Sequence, residues 1–183
     1  NEFDKIYSTN KWGSKESKSG AGSTLQITET ARNCIGDWIQ KYDFKNFGDI
    51  CGDANWQRFI PNIGRVNYTG FDVSEIALVR AKGTNPSFNF QQLDMARNPP
   101  PHGRDVFMVR DVVQHLPAYM GINLYRNLIL SGVRYLITST YPKGQNRNIE
   151  IGNYYLNNIY NPPFDMLQFP KPLESCWNYD DND

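Results

Sequence analysis

FGDICGDANW, residues 47–56, is the stretch whose reading decides the fold. An apolar run from Phe47 to Ile50 enters a tight turn of small and polar residues, Cys51-Gly52-Asp53-Ala54-Asn55, and a helix is expected to follow from Trp56. In an open α/β sheet this strand–turn–helix corner is where a nucleotide-like ligand settles. Glycine lets backbone approach the ligand, and a helix start offers unpaired N–H groups. One such corner is common, so its weight comes from the segments that follow at regular spacing.

Downstream, VNYTGFDVS (66–74) reads as a strand ending on Asp72. Ser74 then caps a helix carrying Ile76, Leu78, Val79 and Ala81 and stopping at Gly83. FNFQQLDM (88–95) reads as a third strand ending on Asp94, and Pro99-Pro100-Pro101 separates it from a fourth, DVFMVRD (105–111). Pro117 opens a helix with Met120, Leu124, Leu128 and Ile129, Gly132 closes it, and VRYLITSTY (133–141) is a β-branched and aromatic fifth strand. Upstream, Ala31, Cys34, Ile35, Trp38, Ile39 and Tyr42 share one face of a helix over 24–42, with Ser23 or Thr24 as its cap.

Strands that alternate with helices or long crossovers predict an α/β fold. The expectation is a Rossmann-like three-layer sandwich with a mostly parallel sheet, whose right-handed crossovers set every strand end on one rim. Residues 142–183 lose the rhythm. They are rich in Asn, Pro and Tyr and finish acidic at Asp180-Asp181-Asn182-Asp183, so a loop across the rim and an exposed tail are expected, and the sheet lacks the last one or two of seven strands. Residues 1–23 read as an arm, either solvated or a lid, with Trp12 needing a place to bury. The expected division is an arm (1–23), a core (24–141) and a C-terminal segment (142–183).

A chain of 183 residues suits one domain. Its 19 basic and 19 acidic residues leave no field to draw in nucleic acid or an anionic membrane, so a nucleic-acid partner is not expected. No apolar run reaches the ~20 residues of a membrane span, and no signal peptide is visible. Cys34, Cys51 and Cys176 are odd in number and widely spaced, which supports neither a metal site nor a disulfide framework. They read as reduced thiols in a reducing, cytoplasmic compartment. Asn67-Tyr68-Thr69 is a glycosylation sequon, but it enters an expected buried strand.

Each expected strand carries a polar group at its C-terminal end: Gly52-Asp53, Asp72, Asp94 and Arg110-Asp111. Unpartnered buried carboxylates are expensive, so these ends should face a crevice. Asp72, about twenty residues past the glycine turn, suits ribose hydroxyls, and Asp94 suits an adenine amino group. The set resembles the class I S-adenosylmethionine-dependent methyltransferases over residues 20–140, through ICGDANW, YTGFDVS, LDM and VRDVVQHL. WG, SGAGS, CGDANW and a late PPF resemble a group of small stand-alone methyltransferases with poorly defined acceptors.

The resemblance implies S-adenosyl-L-methionine as cofactor. Cys51, Gly52, Asp53 and Trp56 fall at the cofactor turn, with Asp53 toward the methionine amino group. Asp72 and Val73 fall at the ribose, Asp94 and Met95 at the adenine, and Arg110 at the fourth strand's end. Trp12 and Ser23 enclose the ligand from the arm. The sequence departs from the pattern in its glycines, of which Gly52 alone is kept, and in its acid, which stands at Asp49 rather than near Gly48. A G-x-G-x-x-G dinucleotide turn is absent.

Methyl transfer from a sulfonium is an in-line displacement that needs alignment, plus a base when the acceptor is a hydroxyl. His115 and Asp111 follow the fourth strand and are the catalytic candidates, His115 being the better base near neutral pH. The expected acceptor is a small or moderately sized molecule, methylated on O or N. Asn161-Pro162-Pro163-Phe164 spells a motif that grips exocyclic amines in nucleic-acid amino-methyltransferases, where it ends the fourth strand. Here it follows the fifth, so it reads as a crossing segment burying Phe164 and Phe169 over the crevice. The alternative is a non-catalytic domain of the same fold serving as an interaction module, which the missing glycines favour.

Overall fold

The computed structural model describes residues 1–176. Its sheet has five parallel strands in the order β3-β2-β1-β4-β5: β1 (Asn46–Ile50), β2 (Asn67–Asp72), β3 (Asn89–Gln92), β4 (Val106–Val109) and β5 (Tyr135–Thr138). The chain steps outward from β1 to β3, then returns to lay β4 on the other side of β1. That reversal opens a crevice beyond the C-terminal ends of β1 and β4. The corner at 47–56 stands at its mouth.

β4 shows why the sheet is covered on both faces. Val106, Phe107, Met108 and Val109 are all buried, and successive side chains go to opposite layers. Val106 and Met108 join Phe47, Tyr68, Ile35 and Ile39 on the side of helix α2 (Glu29–Lys41). Phe107 and Val109 join Phe71, Leu124, Tyr125 and Leu128 on the side of a second helix, Ala118–Leu130. Gly48 permits this packing, because a Cβ there would lie 2.5 Å from the Phe107 ring.

Several local expectations shift. A helix, α1 (Glu2–Thr9), stands in the arm, capped by the Asn1 side chain, which accepts from Asp4 N at 2.9 Å. It buries Ile6 and Tyr7 and packs on α3 (Glu75–Thr84). α2 begins at Glu29 rather than at 24; residues 25–28 form a turn closed by Thr28 N on the Thr24 carbonyl (3.0 Å), with Leu25 N donating to the Glu16 carboxylate (2.7 Å). The corner is followed by a three-residue 3-10 turn, Gln57–Phe59, and no α-helix. α3 runs through Gly83 to Thr84, while β3 stops two residues short of Asp94. The second covering helix, α4, starts after Pro117 as expected.

The C-terminal segment replaces regular ladders with asparagine side chains. Asn146 accepts from Asn158 N and donates to Asn158 O, both at 2.8 Å, and Asn158 donates to Pro142 O. Phe164 lies fully buried against Tyr125 of α4, in the core rather than over the crevice, whereas Phe169 is half-buried beside it. The acidic tail lies outside the described residues. Among those described, no helix is long and apolar enough to cross a membrane.

The expectation of three reduced thiols fails for two of them. Cys34 on α2 and Cys176 form a disulfide across 142 residues, a separation that sequence spacing hides. Glu174 reinforces the tie by pairing with Lys41 and accepting from Tyr42 (2.8 Å). Cys51 remains a buried free thiol. With that pair oxidised, the cysteines no longer point to a reducing compartment.

Candidate active site at the strand-end rim

A continuous hollow of about 1950 Å³ runs along the rim and on beneath the C-terminal segment toward Tyr42 and Glu174. It exceeds the ~300–1,000 Å³ of an ordinary ligand pocket, so its chemistry rather than its volume defines a site. Every candidate residue read from the sequence lines it except Asp53.

At the corner, Gly52 takes φ +55°, the left-handed conformation glycine tolerates. Its N–H donates to Asp72 Oδ2 (3.2 Å), and Ser74 N donates to Asp72 Oδ1 (2.7 Å). Each carboxylate oxygen keeps a second acceptor position, which is what a cis-diol requires. Burial pushes the Asp72 carboxyl up to about 7, opposed by those two backbone N–H groups.

Asp49, near the end of β1, was not among the cofactor candidates. Its Oδ2 accepts from Tyr68 OH (2.7 Å) and Gln57 Nε2 (2.9 Å), while Oδ1 is buried with no partner. Burial raises this carboxyl to about 6. An orphaned oxygen on a buried acid beside the hollow costs about 1–3 kcal/mol until a donor arrives. The acid pattern -Gly-Asp-Ile-Cys-Gly- carried the signal, one position from where the resemblance placed it.

Asp94 accepts from Ala96 N (3.1 Å) and pairs with Arg97 (3.2 Å), its side chain still partly exposed. Met95 is buried in the core beside it. Val73 offers a carbonyl already taken by Asn1 and Gln92 side chains. Burial drives the Cys51 thiol well up, so it packs rather than reacts. Trp56 is buried beneath the Arg110 guanidinium, 5.6 Å from ring centre.

Asp53 departs from its expected role. Its carboxylate accepts from Ser17 Oγ (2.8 Å), Lys18 N (2.7 Å) and Ser19 Oγ (2.9 Å), and it lies 5% exposed beneath the arm. Oδ1 is filled by the two hydroxyls, and Oδ2, which accepts from Lys18 N, also pairs with Arg80 Nε (3.9 Å), so the carboxylate is turned to the arm and α3 and not to the hollow. The outward face of Gly52 is likewise covered, since a Cβ there would meet Ser19 Oγ at 2.2 Å. With no α-helix after the corner, the expected row of free N–H groups is also missing.

At the end of β4, Arg110 bonds Asp111 (2.8 Å) and the Gly22 carbonyl (3.2 Å). Asp111 takes φ +54°; its N–H donates to Ser139 Oγ (2.8 Å) and its Oδ1 accepts from Tyr141 OH (3.1 Å). With both oxygens engaged, Asp111 holds the rim together instead of serving as a base. Ser23 contributes its backbone carbonyl, bonded by Asn55.

His115 ends a 3-10 turn, Val113–His115, between two aromatics: Trp12 at 4.7 Å and Tyr154 at 5.6 Å between ring centres. Its Nδ1 lies 2.9 Å from the Asn153 carbonyl. A carbonyl only accepts, so Nδ1 carries the hydrogen and Nε2 keeps its lone pair. Burial holds the imidazole below its ordinary value, partly offset by Asn153 and by Asp111, so the ring is neutral at physiological pH. Asn153 and Tyr154 come from the C-terminal segment, whose rhythmless sequence gave no hint of them.

No protein-family model matches the sequence, and no curated protein is similar to it. Solved structures are similar in fold. The DhpI complex with S-adenosylhomocysteine has TM-score 0.55 at 13% identity, covering 89% of this chain and 82% of that one. The methyltransferase domain of a bacterial Hen1 gives 0.54 at 20% identity, covering 62% and 66%. Magnesium protoporphyrin IX methyltransferase from Synechocystis PCC 6803 with bound S-adenosylhomocysteine gives 0.52 at 17%, covering 64% and 57%. The chain thus spans just under two thirds of the Hen1 domain's length and less of the protoporphyrin enzyme's. Its fold is that of the class I S-adenosylmethionine-dependent methyltransferases.

Proposed function

We propose that this chain transfers a methyl group from S-adenosylmethionine to a small or moderately sized acceptor. The reading rests on one observation: Asp49, Asp72 and Asp94 line a single hollow at the topological switch point with acceptor capacity unspent. Neighbours of the same fold are crystallised with this cofactor's product, and the residues here suit the group. Asp72 would hold the ribose hydroxyls, Asp94 the adenine amino group, and the orphaned Asp49 Oδ1 the methionine ammonium. The cofactor supplies an electrophilic methyl on a sulfonium.

The chain's own part is alignment and one proton. A hydroxyl acceptor needs a base, and the unprotonated Nε2 of His115 supplies one. An amine attacks through its own lone pair, and the Asn161-Pro162-Pro163-Phe164 motif is spent elsewhere, with Phe164 in the core. Transfer to oxygen is therefore favoured over transfer to nitrogen. Calorimetry with S-adenosylhomocysteine tests the reading. Wild type should bind, and Asp72→Ala should bind at least ten-fold more weakly. Undiminished binding by the variant would count against the placement of Asp72, and no binding by wild type would support a non-catalytic module, which the covered face of Gly52 favours.

A further inference from the structure

The arm is fastened to the corner by a closed set of hydrogen bonds. Asp53 takes the hydroxyl protons of both Ser17 and Ser19. With its proton spent, Ser19 Oγ accepts from Asp53 N (3.1 Å) and stands 3.1 Å from Tyr7 OH, which must therefore donate. Ser17 Oγ in turn accepts from Ser19 N (3.1 Å). Every hydroxyl hydrogen has one destination, and the buried carboxylate is the acceptor they converge on. Around it, Asn55 donates to Glu16 Oε1 (2.7 Å) and Ser23 O (3.0 Å).

The same segment carries the aromatic that covers His115. Gly20, one residue past Ser19, turns at φ +93° so closely that a Cβ there would come 3.4 Å from Trp12 Cβ. Trp12 then lies on the His115 ring and is braced from behind by Phe3 and Tyr7. A continuous path of contacts joins the corner acid to the imidazole.

We propose that Asp53 is a positioning residue: it latches the N-terminal arm over the corner and, through Trp12, sets the surroundings of His115. Asp53 thus fills the place where the resemblance put a cofactor contact. The value of His115 as a base rests on the proposed methyl transfer. The latch itself does not, and it is read on ligand-free protein. Other groups facing His115 are Asp111, which Arg110 ties to the Gly22 carbonyl of the arm, and Tyr154 from the C-terminal segment.

The test is Asp53→Asn, which keeps the shape but removes the charge and turns a donor toward either Lys18 N or a serine hydroxyl. Tryptic cleavage at Lys11, Lys15 and Lys18 should quicken at least ten-fold without ligand. The His115 titration, followed by NMR, should rise toward 6.5 as Trp12 leaves. Should Asp53→Asn fail to fold, Ser17→Ala with Ser19→Ala keeps the acid and must give the same two changes. Cleavage within two-fold of wild type would overturn the latch, and so would an Asp53→Asn protein that loses only S-adenosylhomocysteine affinity. A freed arm with an unmoved His115 would overturn the link through Trp12. Failure of wild type to bind S-adenosylhomocysteine would touch the proposed function alone.

Discussion

Asp49→Asn should make the ligand-free protein more stable at pH 8 while weakening its hold on S-adenosylhomocysteine. Burial raises the Asp49 carboxyl from 3.8 to about 6. A shift of ~2 units corresponds to about 3 kcal/mol, because each unit is worth ~1.4 kcal/mol. A carboxyl raised in the folded state favours folding most below its unfolded value, and that advantage is lost as pH climbs through the folded value. The wild type therefore carries the full cost above pH 6. Asparagine removes it: the amide oxygen can accept from Gln57 and Tyr68 as Oδ2 does, and the NH₂ group takes the place of the orphaned Oδ1. That buried donor stays unpaired and gives back about 1–2 kcal/mol. A net gain of ~1–2 kcal/mol raises Tm by roughly 2–8 °C in a chain of this size. Thermal unfolding of both proteins from pH 3.5 to 8 is the assay. The gain should turn into a loss of about 1–2 kcal/mol as pH falls below about 4, because the carboxyl is then protonated and only the cost of the unpaired amide is left. A variant less stable than wild type at pH 8, or a difference that ignores pH, would refute the reasoning.

Affinity for S-adenosylhomocysteine should rise between pH 5 and 8, as Asp49 and then Asp72, raised to about 6 and about 7, ionise; calorimetry at stepped pH reads it, and a flat profile would exclude both acids. Phe164→Ala should cost about 3–5 kcal/mol in denaturant unfolding, because the ring is fully buried against α4. Without reductant, unfolded protein should show one reactive thiol of three, Cys51, and Cys176→Ser should lower Tm by freeing the C-terminal segment from α2.

The sheet was legible because its signals are local. Val106 to Val109 is a continuous apolar run, and Ala31, Ile35 and Ile39 recur on a helical face. Asp72 and Asp94 stood out because an acid ending a buried strand must face water, a donor or a ligand. What stayed hidden depends on distant partners. Asp53 looks like a ligand group until Ser17 and Ser19 return across thirty-odd residues to occupy it. Asp111 looks like a base until Tyr141 and Arg110 claim its oxygens. Cys34 and Cys176 meet only once the last described segment crosses to α2. α1 was missed for another reason: Phe3, Ile6 and Tyr7 have helical spacing, but the lysines around them read as solvated chain.

The central claim is that the rim's acids converge on one adenosyl ligand, and a crystal structure grown with S-adenosylhomocysteine tests it most directly. The ribose should sit on Asp72, the adenine amino group by Asp94, and the methionine ammonium within hydrogen-bond distance of Asp49 Oδ1. A ligand bound on another face, or an Asp49 oxygen still without a donor beside a bound ligand, would contradict the account.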